Sequence, residues 1–109
     1  MPPTPLVIYG AGSPDPVKLV AAINRATPTW DLLGFIDDTP EKQGGAVLGV
    51  PILGGAAHIA HLDLGRVRFY NNVASSIAAR RSVTERMVAA GCRFATLIHP
   101  SVDTAFTEV

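Results

Sequence analysis

Two short stretches carry groups that could bind a charged, hydroxyl-bearing ligand. Gly10-Ala-Gly12 and the following Ser13 lie between an apolar run and a predicted helix. Glycines there let the backbone turn sharply and bring free N–H groups of a helix start close to a phosphate. Asp37 and Asp38 end a second apolar run, where dinucleotide-binding folds place a carboxylate that accepts hydrogen bonds from ribose hydroxyls.

Each stretch also has a purely structural interpretation. The pattern G-x-G-x-x-G would place its third glycine at position 15, but this chain has Asp15, whose carboxylate competes with a phosphate for the helix end. Pro14 and Pro16 stiffen the loop, and Pro16 has no N–H to donate. The loop is therefore either an anion-binding loop or an ordinary strand-to-helix turn. The aspartate pair is either part of a ligand site or a solvated turn before Thr39.

No other segment offers a recognisable set of reactive or metal-binding residues. His58 and His61 stand three apart with Asp63 nearby, but they lack a further ligand at matching spacing. Cys92 is expected to be a small buried side chain, and His99 to be structural. Paired carboxylates, a Ser-His-Asp set and a Cys-His set are not recognisable, so the sequence predicts no catalytic residue and no metal site.

Composition restricts the class of protein. The 109 residues suffice for one domain, and nine basic residues balance nine acidic ones. This balance gives no electrostatic case for nucleic acid or an anionic membrane surface as a partner, and no apolar run is long enough to span a bilayer. The N-terminus lacks the features of a signal peptide, and a single cysteine suits a reducing compartment, so the predicted location is cytoplasmic.

Apolar runs and helix-capping signals alternate along the chain. Short apolar runs predict strands and the longer periodic segments predict helices that begin near Ser13 or Asp15 and near Ser75 or Ser76. The predicted strands are 6–9, 32–36, 50–53, 67–73 and 94–98, and the predicted helices are 15–26, 56–64 and 76–90. The segment 39–46 has no periodicity and is predicted to be a solvated connector.

This alternation predicts an α/β fold: a Rossmann-like, open, parallel five-stranded sheet with helices on both faces. Right-handed crossovers give the strand order 3-2-1-4-5, with a topological switch between the first and fourth strands. Ligands bind such sheets beyond the carboxyl ends of the strands at the switch. The predicted site therefore combines seven residues at one edge of the sheet: Gly10, Gly12, Ser13, Asp37, Asp38, Ser75 and Ser76.

Four segments resemble the N-terminal domain of PglD-type sugar acyltransferases, which include acetyltransferases of the sialic acid O-acetyltransferase kind. They are LVIYGAG at 6–12, GFIDD at 34–38, VLGVPILG at 47–54 and TLIHPS at 96–101. The resemblance follows the family in order over nearly the whole chain. It implies that residues 1–100 are a Rossmann-like nucleotide-sugar-binding domain. Residues 101–109 would begin the linker to a C-terminal left-handed β-helix that this chain lacks.

The resemblance also implies a function. Family members bind a nucleotide-sugar acceptor, typically UDP-linked, in this domain, and the β-helix binds acetyl-CoA and supplies the catalytic base. They assemble as trimers. The chain would thus be the acceptor-binding domain of a bacterial sugar acyltransferase, without catalytic residues or a cofactor of its own. Two alternatives remain open: a structural or oligomerisation module that has lost its ligand, and an NAD-type dinucleotide-binding sensor domain.

Overall fold

The computed structural model describes residues 2–102, which form an α/β fold built on a six-stranded, mostly parallel sheet. The strands are β1 (Thr4–Tyr9), β2 (Trp30–Ile36), β3 (Ala46–Val47), β4 (Val50–Gly54), β5 (Arg68–Asn71) and β6 (Arg93–Phe94). The helices are α1 (Asp15–Ala26) and α2 (Ile77–Ala89), and two 3₁₀ turns span Pro40–Lys42 and Ala56–His61.

The order across the sheet is β3-β4-β2-β1-β5-β6. All neighbouring pairs are parallel except β3 and β4, which form a short antiparallel ribbon. The prediction of five strands in a wholly parallel sheet is therefore wrong in strand count and in direction at one edge, where the strand order gains β3 beyond β4. The cause is β3, because two residues that pair only with Val50 and Pro51 leave no alternating pattern to recognise. The five predicted strands keep their predicted order, as β4-β2-β1-β5-β6.

The central strands are apolar on both sides because each side is covered. Val7 and Tyr9 of β1 face a core that includes Val83 and Met87 of α2 and Ile59 of the second 3₁₀ turn. Ile8 faces the opposite layer, where Phe35 and Ile52 pack with Val17 of α1. Burial on both faces explains why the strands appear in the sequence as continuous apolar runs.

Three predicted boundaries differ from the structure. The segment 56–64 is a 3₁₀ turn that ends at His61, with i to i+3 bonds such as Leu62 N–H to Ile59 O. The last strand covers Arg93–Phe94 only, and after Ala95 donates to Phe69 O the chain leaves the sheet. Pro14, and neither Ser13 nor Asp15, occupies the N-cap position of α1. Most of the predicted linker 101–109 lies outside the described residues.

Candidate functional site

A cleft of about 650 Å³ lies at the carboxyl edge of the sheet. Its walls come from the loops that follow β1, β2 and β5, together with Val83 of α2. The chain leaves β1 toward β2 on one side, and β5 lies on the other, so the cleft occupies the topological switch point. Six of the seven residues predicted from sequence line it: Gly10, Gly12, Ser13, Asp37, Asp38 and Ser75.

Ser76 lies apart from this cleft and acts on the helix instead. Its side-chain oxygen accepts a hydrogen bond of 3.0 Å from the Ala79 amide, as an N-cap residue does. The sequence predicts the same role for these two adjacent serines, but the structure places only one of them in the cleft. Ser75 faces the cleft, whereas Ser76 begins α2.

Gly10 is required by the fold itself. Its φ of +105° is in a region that side chains rarely adopt. A Cβ atom there would lie 3.0 Å from the Val73 nitrogen and 3.1 Å from its Cγ2 atom. The Gly10 amide donates to Ile36 O at 2.7 Å, and its carbonyl accepts from the Asn72 side chain at 3.1 Å. The loops after β1 and β5 therefore touch at this glycine.

Gly12 and Ser13 line the cleft next to the start of α1. A Cβ atom on Gly12 would meet nothing within 4 Å, so neither packing nor backbone conformation requires glycine there. Within residues 2–102, the amides of Gly12 and Ser13 donate to no acceptor of the chain itself. The Ser13 hydroxyl accepts a hydrogen bond of 3.2 Å from the Asp15 amide. Free amides beside a helix start are suited to an anionic group.

Asp37 is buried, with 8% of its surface exposed, and both carboxylate oxygens accept hydrogen bonds from the backbone. Oδ2 accepts from the Ala11 amide at 2.8 Å and Oδ1 from the Thr39 amide at 2.9 Å. Burial alone would raise the pKa of Asp37, but these two amides, the Thr39 hydroxyl and the nearby Lys42 ammonium outweigh it and hold the pKa below its usual value. Asp37 therefore stays ionised and fastens the loop after β1 to the end of β2.

Asp38 is more exposed and contacts three other elements. Its Oδ2 accepts a hydrogen bond from the Tyr9 hydroxyl and lies 3.6 Å from Nη1 of Arg86. Its Oδ1 accepts from the Ala56 amide at 2.8 Å. Burial, followed by the hydrogen bond to Asp38, raises the pKa of Tyr9 well above its usual value, so the tyrosine remains a donor. Asp38 keeps an accessible carboxylate edge that can accept hydrogen bonds from ligand hydroxyls.

The loop after β5 is shaped by the two asparagines at the end of the strand. Asn71 accepts a hydrogen bond of 3.0 Å from the Val73 amide and donates to Thr84 Oγ1 at 2.9 Å. The backbone amide of Asn72 donates to the carbonyl oxygen of Tyr9 at 2.7 Å. Arg80 closes the loop from α2, since its Nε donates to Val73 O at 2.8 Å. The sequence signal for this loop was the Asn71-Asn72 pair, which also made the strand hard to recognise.

Sequence reasoning missed Lys42, which lines the cleft from the loop after β2. As predicted, that loop is exposed to solvent, apart from the half-buried Lys42, but it also has local structure. It contains the 3₁₀ turn Pro40–Lys42, and the Gln43 side chain donates to Asp37 O at 3.1 Å. Lys42 Nζ lies 4.0 Å from Asp37 Oδ2.

Within residues 2–102, no helix is long and apolar enough to cross a membrane. The same part of the chain holds no group of three or more His, Cys, Asp or Glu side chains able to bind a metal ion. His58 and His61 lie side by side, with ring centroids 5.7 Å apart, and do not line the cleft.

The sheet order and the cleft define an α/β domain with a cleft at the switch point of its sheet. Two solved structures from Neisseria gonorrhoeae FA1090 share this fold. The acetyltransferase domain of PglB in complex with acetyl coenzyme A is 27% identical with a TM-score of 0.69, over 90% of this chain and 45% of that chain. A second structure of the acetyltransferase domain of PglB is 26% identical with a TM-score of 0.67. The match covers 89% of this chain and 45% of that chain.

The chain therefore resembles part of an acetyltransferase domain, and this similarity fits a PglD-like N-terminal domain. It spans less than half the length of the solved chains that it matches. No protein-family model matches the chain, and no curated protein matches it.

Proposed function

We propose that the chain binds the nucleotide-sugar acceptor, a UDP-linked sugar, of a bacterial sugar acyltransferase, and is not catalytic by itself. The observation that carries this proposal is that Gly12 and Ser13, with their free amides, line the same cleft as the accessible carboxylate of Asp38. A nucleotide sugar needs both kinds of group, because its diphosphate accepts hydrogen bonds and its ribose and sugar hydroxyls donate them.

The proposed positions follow from these polarities. The diphosphate lies against Gly12 and Ser13, where a glycine lets it approach the backbone closely. The hydroxyls lie toward Asp38 and Ser75, which offer acceptors at the facing walls. Asp37 positions the loop after β1 through its hydrogen bond from the Ala11 amide. It is buried and has little surface left for a ligand.

Asp15 opposes binding in this arrangement. It also lines the cleft, and its carboxylate lies next to the helix start where a phosphate would bind. The expected affinity is therefore modest, and removing this charge strengthens it. In the proposed parent enzyme, acetyl-CoA binds a C-terminal β-helix domain, and the acyl transfer and the assembly into a homo-oligomer depend on that domain.

A titration of the ¹⁵N-labelled chain with UDP-N-acetylglucosamine tests the proposal. We expect amide shifts at Gly12, Asp38 and Ser75, and none at Arg25, which is exposed in the last turn of α1. Asp15→Asn should lower the Kd. If millimolar ligand shifts none of the three cleft amides in the wild type, the proposed function is wrong.

The second candidate is a structural or oligomerisation module that has lost its ligand. Its support is that Asp37 and much of Asp38 are hydrogen-bonded within the chain, as in a purely structural turn. It predicts no shifts for the wild type but binding by Asp15→Gly. A parallel titration with NAD⁺ addresses the sensor alternative, which requires stronger binding of NAD⁺ than of the UDP-sugar.

A further inference from the structure

The turn after β2 holds Lys42 at the cleft by backbone hydrogen bonds. The Lys42 amide donates to Thr39 O at 3.1 Å, and its carbonyl accepts from the Gly45 amide at 3.0 Å. The Gln43 side chain ties the same turn to Asp37 O. The position of the lysine backbone is therefore set by the fold, and its side chain extends into the cleft.

The ammonium group of Lys42 is only weakly held by its neighbour. Its distance of 4.0 Å from Asp37 Oδ2 is longer than a hydrogen bond, and 42% of the lysine side chain is exposed. Asp37 does not depend on this contact, because the amides of Ala11 and Thr39 already donate to its two oxygens. Lys42 Nζ can therefore turn to another anion without leaving a buried carboxylate unpaired.

The other ionised side chains of the cleft wall are all acidic. Among residues 2–102, the wall contains Asp15, Asp37 and Asp38, and Lys42 is its cation. Arg86 pairs with Asp38 but is not part of the wall. A ligand with a diphosphate would meet repulsion from the carboxylates unless a cation contacts it.

We propose that Lys42 is the side chain that contacts phosphate at this site, in addition to the backbone of Gly12 and Ser13, and that its Nζ leaves Asp37 to bind the diphosphate of the ligand. This inference rests on the proposed function and names the part of the ligand that decides affinity. It follows that binding depends on the phosphates more than on the nucleoside. Affinity should increase from uridine to UMP to UDP, and salt should reduce the differences.

The test measures Kd by isothermal titration calorimetry for uridine, UMP, UDP and UDP-N-acetylglucosamine. We expect Lys42→Met to weaken UDP and the UDP-sugar by about tenfold or more, the loss expected for a charge-assisted hydrogen bond, and to leave uridine unchanged. Lys42→Arg should keep most of the affinity, since it retains the charge. Lys18→Met is the matched control, because Lys18 is an exposed residue of α1 that does not line the cleft.

Failure of this inference differs from failure of the proposed function. If the wild type binds UDP and Lys42→Met binds it equally well, the assignment of Lys42 is wrong and the proposed function stands. Equal losses for Lys42→Met and Lys18→Met would also overturn it, because they would reflect net charge alone. If the wild type binds none of the phosphate-bearing ligands, both proposals fail. Thermal unfolding of each variant verifies that the fold is retained.

Discussion

The backbone amide of Ala11 donates a hydrogen bond of 2.8 Å to the buried carboxylate of Asp37. This bond joins the loop after β1 to the end of β2, although the two residues stand 26 positions apart in the chain. Asp37 also accepts from the Thr39 amide, so one carboxylate fixes two loops of the cleft. The first aspartate of the pair therefore shapes the site, whereas the second, Asp38, is the one with an accessible edge.

Replacing Asp37 should cost stability. Asparagine keeps one acceptor oxygen but places an NH₂ donor against one of the two amides that now donate to the carboxylate. We expect Asp37→Asn to lower the free energy of unfolding by about 1 to 3 kcal/mol, the cost of leaving a buried donor unpaired. Urea unfolding at neutral pH measures this.

The control for that variant is Asp31→Asn, because Asp31 is an exposed residue of β2. It should change stability by no more than about 0.5 kcal/mol. Similar stabilities for Asp37→Asn and Asp31→Asn would mean that the carboxylate of Asp37 does not hold the two loops.

Asp37 should also make stability depend on acid pH. Its pKa is lower in the folded chain than in the unfolded chain, because the accepted hydrogen bonds and Lys42 outweigh its burial. Its contribution is thus complete above the unfolded pKa, about 3.9, and is lost as the pH falls through the folded pKa. The difference in unfolding free energy between wild type and Asp37→Asn should be constant from pH 7 to 5 and shrink below pH 4. A difference that grows on acidification would contradict this.

The two glycines of the loop should respond differently to alanine. Gly10→Ala introduces a Cβ at a positive φ and 3.0 Å from the Val73 nitrogen, so we expect a loss of about 1 to 3 kcal/mol in stability. Gly12→Ala places its methyl group in open space and should keep stability within about 0.5 kcal/mol. If Gly12 is where the diphosphate approaches, the same methyl group weakens UDP-sugar binding. Chemical unfolding and calorimetry on both variants separate the two roles.

How much of the fold the sequence predicts depends on what defines each element. β1 and β2 are recognisable because burial on both faces requires continuous apolar runs. β3 is defined by a two-residue pairing with β4, and β6 by two residues at the other edge, so neither carries a periodic signal. The 3₁₀ turn Ala56–His61 differs from a helix only in its hydrogen bonds, which composition does not specify.

In the candidate site too, some residues could be predicted from the sequence and others could not. Gly10 and the aspartates could be placed because the carboxyl ends of neighbouring parallel strands meet at one edge of the sheet. Lys42 could not, because its position depends on the hydrogen bonds of a turn within a segment of polar residues, from the Lys42 amide to Thr39 O and from the Gln43 side chain to Asp37 O. Sequence also does not reveal that the oxygens of Asp37 accept from the chain itself.

The sequence assigns both adjacent serines after β5 to the site, but the structure gives them different roles. These two residues therefore provide the sharpest test of which predicted residues contact the ligand. Ser76→Ala removes the acceptor for the Ala79 amide at the start of α2 and should cost about 1 kcal/mol of stability, with UDP-sugar affinity unchanged. Ser75→Ala removes a hydroxyl from the cleft wall and should do the reverse, lowering affinity with stability unchanged. Urea unfolding and calorimetry on the two variants form a matched pair. Loss of affinity in Ser76→Ala without loss of stability would show that Ser76 contacts the ligand and that its capping bond is secondary.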